Sequence, residues 1–173
     1  ATGTGEVVFS IMNKKADSVS EIIGIDLSQK MMEKALSYQK KTSYSEKVTF
    51  QNCSATNLPF NSGTFDCVTM AFGIRNVDDP VGCITQIKRV LKKNGTALIM
   101  EFSLPENRIL KQSYLVYFRF ILPFIGGMVS GNYKAYKYLN ETVESFPYGD
   151  EFCDLMRNEG FKTSYLPLTF GIA

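Results

Sequence analysis

The feature that most constrains the fold of this chain is its opening, ATGTGE, together with the short apolar run EIIGID at 21–26 that ends in an acid. Glycines at such a turn let the backbone leave a buried strand and enter a helix, and let a ligand approach the main chain at the helix N-terminus. In a doubly wound sheet, an acid closing the next strand takes the ribose hydroxyls of that ligand. Gly3, Thr4 and Gly5 stand in this relation to Asp26, which follows the loop by about twenty residues, the spacing of a nucleotide fingerprint. A structural turn beside a surface acid would read the same in isolation, so the rest of the chain has to decide.

The rest of the chain alternates helices and strands. Residues 6–15 suit a helix starting directly on the glycine loop. Ser28 is placed to cap a helix running to Lys41, with Met32, Ala35 and Leu36 inward. VTFQNC (48–53) and FDCVTMAF (65–72) read as strands. Pro80 opens a helix carrying Ile84, Ile87 and Leu91 on one face, which Asn94-Gly95 should end, and TALIMEF (96–102) reads as the next strand. DEFCDLMRNEGF (150–161) suits a helix stopped by Gly160, and KTSYLPLTFGIA (162–173) the last two strands. The alternation predicts an α/β fold with a mostly parallel sheet wound by right-handed crossovers, in one domain over 1–173.

Composition removes several functions. A net charge of +2 with no run of Lys or Arg gives no phosphate-binding stripe, so nucleic acid is not expected as a partner. Cys53, Cys67, Cys83 and Cys153 are scattered without a CxxC pair, and read as reduced thiols packed in the core of an intracellular, cytoplasmic protein. No metal site is expected without histidine or clustered ligands, and the lack of histidine also removes the usual general base.

Two cofactors remain for the glycine loop. A dinucleotide wants a third glycine where a helix packs over the pyrophosphate, and that position is Val8; Glu6 would also be an unhelpful charge there. S-adenosylmethionine has adenosine and an amino acid but no phosphate, and suits the loop better. The stretch NCSATNLPFNSGTFDCVTMAFGIRNVDD (52–79) resembles the class I methyltransferases. AFGIRNV (71–77), RVLKKNG (89–95), EFSLP (101–105), LPFIGGMVSG in the 122–131 region, YKYLNETVESFP (136–147) and the closing TFGIA look like the ubiquinone/menaquinone-biosynthesis C-methyltransferases, over essentially the whole chain.

That resemblance implies a Rossmann-like class I methyltransferase fold with an antiparallel last strand and a helical substrate lid, residues 104–147, inserted after the fifth strand. It makes Thr4 in its glycine loop, Asp26, and the Ser54-Ala55 pair the contacts of S-adenosylmethionine. Ser54 departs from the Asn or Asp more common in the family, and a loop cap bonding its own backbone is the rival reading for it. Ala71 stands where ubiquinone-pathway relatives often carry serine. The implied reaction moves a methyl group to a ring carbon of a polyprenylated quinol. Arg75, just past the fourth strand, would favour the quinolate and orient a water, and Asn76 would hold the other oxygen; alternatively Arg75 pairs with Asp78 or Asp79 and pins the loop.

The resemblance also implies that the sheet's central first strand precedes ATGTGE and is missing from this chain. TFGIA would then stop partway into the last strand. The expectation is that the 173 residues alone are poorly folded and inactive, and that a chain extended upstream is cooperative and active. The aromatic stretch 114–128 is too short to cross a membrane and is interrupted by Arg119 and Pro123. It reads either as a core helix or as a lid lining a tunnel for the prenyl tail, with peripheral contact at the membrane. A homodimer or a quinone-synthesis complex is compatible with the sequence. The rival functions are a class I methyltransferase on another small apolar acceptor and a non-catalytic scaffold subunit, with a dinucleotide oxidoreductase further behind.

Overall fold

The computed structural model describes the backbone of residues 1–173 and the side chains of all but Val129, Ser130 and Phe170. The chain divides into two compact units, Ala1–Ile99 and Met100–Ala173.

In the first unit, helix α1 (Glu6–Lys15) starts on Gly5, whose φ of 86° is left-handed and suits glycine. Gly5 is also boxed in, because an added Cβ would lie 2.8 Å from the Phe9 ring and 2.9 Å from the Phe50 ring. The inner face of α1 buries Val8 and Met12 against Val48, with Ile22, Tyr44 and Phe50 around them. Strand β1 (Ile22–Asp26) pairs parallel with β2 (Val48–Asn52), Ile22 opposite Val48 and Asp26 opposite Asn52. Parallel pairing needs a crossover, and α2 (Gln29–Gln39), capped by the Ser28 side chain, supplies it. Met32 and Ala35 are buried as the spacing predicts, whereas Leu36 is exposed.

Strand β3 (Phe65–Ala71) pairs with β4 (Leu91–Met100), and α3 (Pro80–Val90) lies between them in sequence. Asp79 caps α3 by accepting the Gly82 amide at 2.8 Å. The helix ends at Val90 rather than at Asn94-Gly95. Its last carbonyls are taken by the preceding loop, Gly63 N to Arg89 O at 3.0 Å and Thr64 N to Val90 O at 2.8 Å, so the chain leaves the helix early. Leu91 is buried as foreseen, but from the strand.

Among the described residues no strand joins β1–β2 to β3–β4. Ala1 and Thr2 bridge them instead. The Thr2 amide donates to the Ile25 carbonyl at 2.7 Å, and the Ala1 methyl lies where a Cβ on Gly73 would stand 2.6 Å away. The glycine loop thereby touches the ends of both β1 and β3.

The four thiols are unpaired. Cys83 and Cys153 are buried, and burial pushes the Cys83 thiol up to about 11, which leaves it protonated and inert near neutral pH. Cys67 corrects the expectation of four core thiols, since it sits on an exposed face of β3.

The second unit is helical. A nearly continuous rod comprises α4 (Arg108–Val116), a π-helical turn (Tyr117–Ile121) and α5 (Leu122–Ser130). It folds back through Gly131, at φ 69°, into α6 (Tyr133–Ser145), and α7 (Asp150–Asn158) follows. Leu104, Phe118 and Val143 form the core, with Tyr114, Leu115, Leu122 and Leu139 packed on it. Among the described residues no helix is long and apolar enough to cross a membrane.

The expected last two strands, including the antiparallel one, do not form among the described residues of 162–173. Pro167 lacks an amide for a ladder, and Thr169 at φ 48° turns the chain into a short 3-10 segment (Thr169–Gly171). The segment's carbonyls go to Ser103 instead: its amide donates to Ile172 O at 2.9 Å and its hydroxyl to Gly171 O at 2.7 Å.

Candidate functional site

The expected cofactor residues gather at the carboxyl ends of β1, β2 and β3, the edge where open α/β sheets bind ligands. Asp26 organises it. Its Oδ2 accepts the Gly3 amide and its Oδ1 the Ser28 amide, both at 2.9 Å, while Asn52 at the end of β2 donates through Nδ2 to the Asp26 carbonyl at 2.9 Å. One side chain therefore ties the glycine loop to the start of α2. A carboxylate has about four acceptor positions, so both oxygens can still take hydroxyl donors.

The loop beside it is open. A Cβ on Gly3 would meet nothing within 4 Å, and the first turn of α1 has no side-chain cap. Thr4 hydrogen-bonds Glu6 through its hydroxyl at 3.3 Å, on the exposed side. Val8, 5% exposed, is committed to the core, so α1 keeps a side chain where a pyrophosphate would need bare backbone. Leu27, directly after Asp26, is 71% exposed, an apolar side chain left open beside the acid. The sequence reading passed over Leu27; the signal was an apolar residue immediately beyond a strand-ending acid. This donor and acceptor set fits S-adenosylmethionine.

Ser54 lies two residues past β2. Its hydroxyl oxygen accepts the Thr56 amide at 3.2 Å and lies 2.8 Å from the Thr56 hydroxyl, and its carbonyl accepts the Asn57 amide at 3.2 Å. The hydroxyl is thus engaged in its own turn, as the rival reading held. Ala55 shares that turn and is half-buried.

Ala71 ends β3, and Phe72 follows at φ 54°, a left-handed conformation unusual for a bulky residue and costing about 1–2 kcal/mol. Strain of this kind collects at functional sites. Its carbonyl accepts Arg75 Nη1 at 2.9 Å and Asn76 Nδ2 at 3.4 Å. Both side chains ride on a 3-10 turn, Ile74–Asn76, whose Ile74 is fully buried. The backbone twist at Phe72 was not legible in FGIRN.

A second contact set missed by the sequence reading braces this region. Arg89 of α3 donates through Nη2 to the Leu58 carbonyl and to Gln86 Oε1, each at 2.8 Å, and through Nη1 to the Phe60 carbonyl. Gln86 in turn accepts the Leu58 amide at 3.3 Å. The LPF segment is held against α3 by two side chains one helical turn apart.

Parallel β1–β2 strands, their crossover helix and a glycine loop hooked to a strand-ending acid define a Rossmann-like nucleotide-binding fold. Solved structures share that fold. An S-adenosylmethionine-dependent methyltransferase of Thermotoga maritima superposes with a TM-score of 0.60 at 23% identity, over 94% of this chain and 61% of that one. The fold alone does not decide the chemistry: the cyclase SpnF matches with a TM-score of 0.58 at 26% identity, over 62% of this chain and 38% of its own. The family does. The family model for the ubiE/COQ5 methyltransferases matches residues 1–173, and the chain belongs to that family. A Geobacter sulfurreducens protein named ubiquinone/menaquinone biosynthesis C-methyltransferase UbiE is 42% identical over 174 residues, covering all of this chain and 67% of the relative. A Thermus thermophilus demethylmenaquinone methyltransferase is 39% identical over 173 residues, covering all of this chain and 77% of the relative.

Proposed function

We propose that this protein methylates a ring carbon of a polyprenylated quinol in menaquinone or ubiquinone biosynthesis, with S-adenosylmethionine as donor. The observation that carries the reading is the approach of the chain at the Asp26-anchored glycine loop to the turn bearing Arg75 and Asn76, with the Ala1 methyl set against Gly73. Gly3, Thr4, Gly5, Asp26, Ala55 and Ala71 are assigned to the cofactor, Ser54 shapes the turn beside it through Thr56, and Leu27 joins them as an apolar surface beside adenine. Bound there, the cofactor would supply an electrophilic methyl group on a sulfonium.

The chain's own residues would do the rest. Phenols lose a proton near a pKa of about 10, so a quinol needs help at neutral pH. A guanidinium fixed to the Phe72 carbonyl favours the quinolate over the quinol and can orient a water to accept the proton. Asn76, fixed to the same carbonyl, would hold the second ring oxygen. A site that excludes water would favour transfer between oppositely charged partners, and the proton displaced from the methylated ring carbon would leave to water as the ring regains its aromatic form. We read residues 1–173 as one methyltransferase domain, with the apolar segment 104–147 receiving the prenyl tail. Peripheral membrane contact, and a homodimer or quinone-synthesis complex, belong to the same proposal.

The test is a methyl-transfer assay with demethylmenaquinol and with the demethylated ubiquinol precursor under reducing conditions, beside calorimetry of cofactor binding. Binding with transfer to one quinol supports the reading. Binding with transfer to neither points to another acceptor, and absence of binding points to a scaffold.

A further inference from the structure

A glycine in the interior of a strand marks a place where another group approaches closely. Gly24 is the buried middle residue of β1, and its register partner on β2 is Phe50. A Cβ on Gly24 would lie 2.6 Å from the Phe50 ring and 3.2 Å from the Thr2 methyl. The strand thus omits one side chain, and the ring and the glycine loop share the room. The same ring reaches Gly5, where an added Cβ would stand 2.9 Å from Phe50 Cζ. One phenyl ring therefore fills the space left by two glycines, one in β1 and one at the start of α1.

The ring is itself held. It meets Phe9 edge-on with centroids 5.8 Å apart, and Phe9 meets Tyr38 of α2 in the same manner at 6.4 Å. Pairs in this geometry attract beyond the area they bury. Phe50 also packs on the core of Val8, Met12 and Val48. Gly5 carries the left-handed φ of 86°, and its amide closes the loop onto the Thr2 carbonyl at 3.0 Å. Asp26 lies two residues beyond Gly24, on the same face of β1, and accepts the Gly3 amide at 2.9 Å. The loop is accordingly fixed at two points: a carboxylate takes Gly3, and a ring backs Gly5.

We propose that Phe50 is a positioning residue of the cofactor site, its ring setting the place of Gly5 and with it the loop that receives the amino-acid end of S-adenosylmethionine. The inference rests on the cofactor reading above and deepens it. With Asp26 assigned to ribose and Leu27 to adenine, residues 3–5 are what remains for that end of the cofactor. Phe50 acts through Gly5 and needs no contact with the ligand.

The experiment is calorimetry of S-adenosylhomocysteine and of 5′-methylthioadenosine, which keeps the adenosine and lacks the amino acid, with the full-length protein and its Phe50→Leu variant. Amide exchange over residues 2–6 is followed in the unliganded proteins. Leucine keeps the site apolar but cannot back both glycines. S-adenosylhomocysteine should bind about tenfold more weakly, 5′-methylthioadenosine should change by less than about twofold, and Gly3 and Gly5 should exchange faster, because a loop no longer preorganised must be ordered on binding. A ring that only packs the core would, in a folded variant, move both ligands alike or neither.

Gly24→Ala supplies a second arm. Its methyl displaces the ring, so the thermal transition and S-adenosylhomocysteine affinity should both fall. Adding Phe50→Leu makes room for the methyl and should restore most of the thermal stability, while affinity stays about tenfold below the parent. Should Phe50→Leu not fold, Phe50→Met is read in the same way. Equal losses for the two ligands, unchanged S-adenosylhomocysteine binding, or affinity that returns with stability in the double variant overturns the proposal. A parent that binds neither ligand overturns the function proposed above. Loop exchange then decides this inference by itself: faster exchange in Phe50→Leu supports it, and unchanged exchange overturns it.

Discussion

Asp26 and Gly3, 23 residues apart in sequence, are joined by a 2.9 Å hydrogen bond from the glycine amide to the carboxylate. The acid that the sequence suggested as a ligand for ribose is therefore also the clasp of the loop that would hold the rest of the cofactor. Asp26→Ala should weaken cofactor binding by about 1.5–3 kcal/mol, the range for hydrogen bonds to a charged group. It should also loosen the loop, so amide exchange at Gly3 and Ser28 should quicken. Calorimetry and hydrogen exchange check the two effects. Lost affinity with unchanged exchange would mean the clasp is incidental, and unchanged affinity would remove Asp26 from the site.

Ser54 should behave differently. Its hydroxyl already serves the turn through Thr56, so Ser54→Ala should cost about 0.5–1.5 kcal/mol of stability, the net worth of an ordinary hydrogen bond. Cofactor affinity should change less than stability does. Ser54→Asn should hold or improve affinity, since an amide can both cap the turn and face adenine. A large affinity loss in Ser54→Ala at unchanged thermal stability would assign the hydroxyl to the cofactor instead.

Arg75 and Phe72 can be separated by kinetics. Arg75→Ala should lower kcat far more than it weakens cofactor binding, and Arg75→Lys should rescue poorly because a lysine cannot reproduce the planar guanidinium. Phe72→Gly relieves the backbone strain and loosens the turn whose residue-72 carbonyl both Arg75 and Asn76 bond. Relief should raise stability by up to about 1–2 kcal/mol while lowering kcat, because the turn no longer fixes the two side chains. A Phe72→Gly variant with unchanged kcat would show that the twist has no part in positioning them.

The sequence showed the elements with strong local signals and missed those decided by distant partners. Helix Glu6–Lys15, its glycine start, and the strand ending at Asp26 were all legible because periodicity and turn chemistry fix them locally. The end of α3 was not, since amides from residues 63 and 64 take its carbonyls. The final strands failed for the same reason: KTSYLPL alternates well enough for a strand, but a strand exists only with a neighbour to pair with. At the candidate site, Asp26 was suggested by its spacing from the glycine loop and Arg75 mainly by the family resemblance. The positive φ of Phe72 and the Arg89 brace were not legible, because both depend on backbone carbonyls that a sequence does not display.

The Arg119–Glu144 pair gives a pH dependence with a definite sign. Hydrogen bonds from Arg119 hold the Glu144 carboxyl below its ordinary range, against a smaller opposing effect of burial. A depressed carboxyl contributes stability that is fully present above its unfolded value, about 4.3, and is lost as pH falls through the lower folded value. The parent should therefore lose thermal stability more steeply below about pH 4.3 than Glu144→Gln does, and the two curves should run parallel above it. Parallel curves throughout would show that the pair adds nothing to the helical unit.

Arg89 offers the sharpest test of how the site is braced. Its guanidinium bridges the Leu58 and Phe60 carbonyls and Gln86, which itself accepts the Leu58 amide. Removing it strands two carbonyls and half of Gln86's partners in a partly buried setting, so Arg89→Ala should cost about 2–3 kcal/mol. In a protein of this size each kcal/mol moves the transition by about 2–4 °C, so Tm should fall by roughly 4–12 °C. The LPF loop follows the Ser54 turn directly, and cofactor affinity should fall with it. Arg89→Lys should recover one carbonyl contact and only part of the stability, because an ammonium cannot span Leu58, Phe60 and Gln86 together. Full recovery in Arg89→Lys would mean that charge, rather than the fork of the guanidinium, holds the loop.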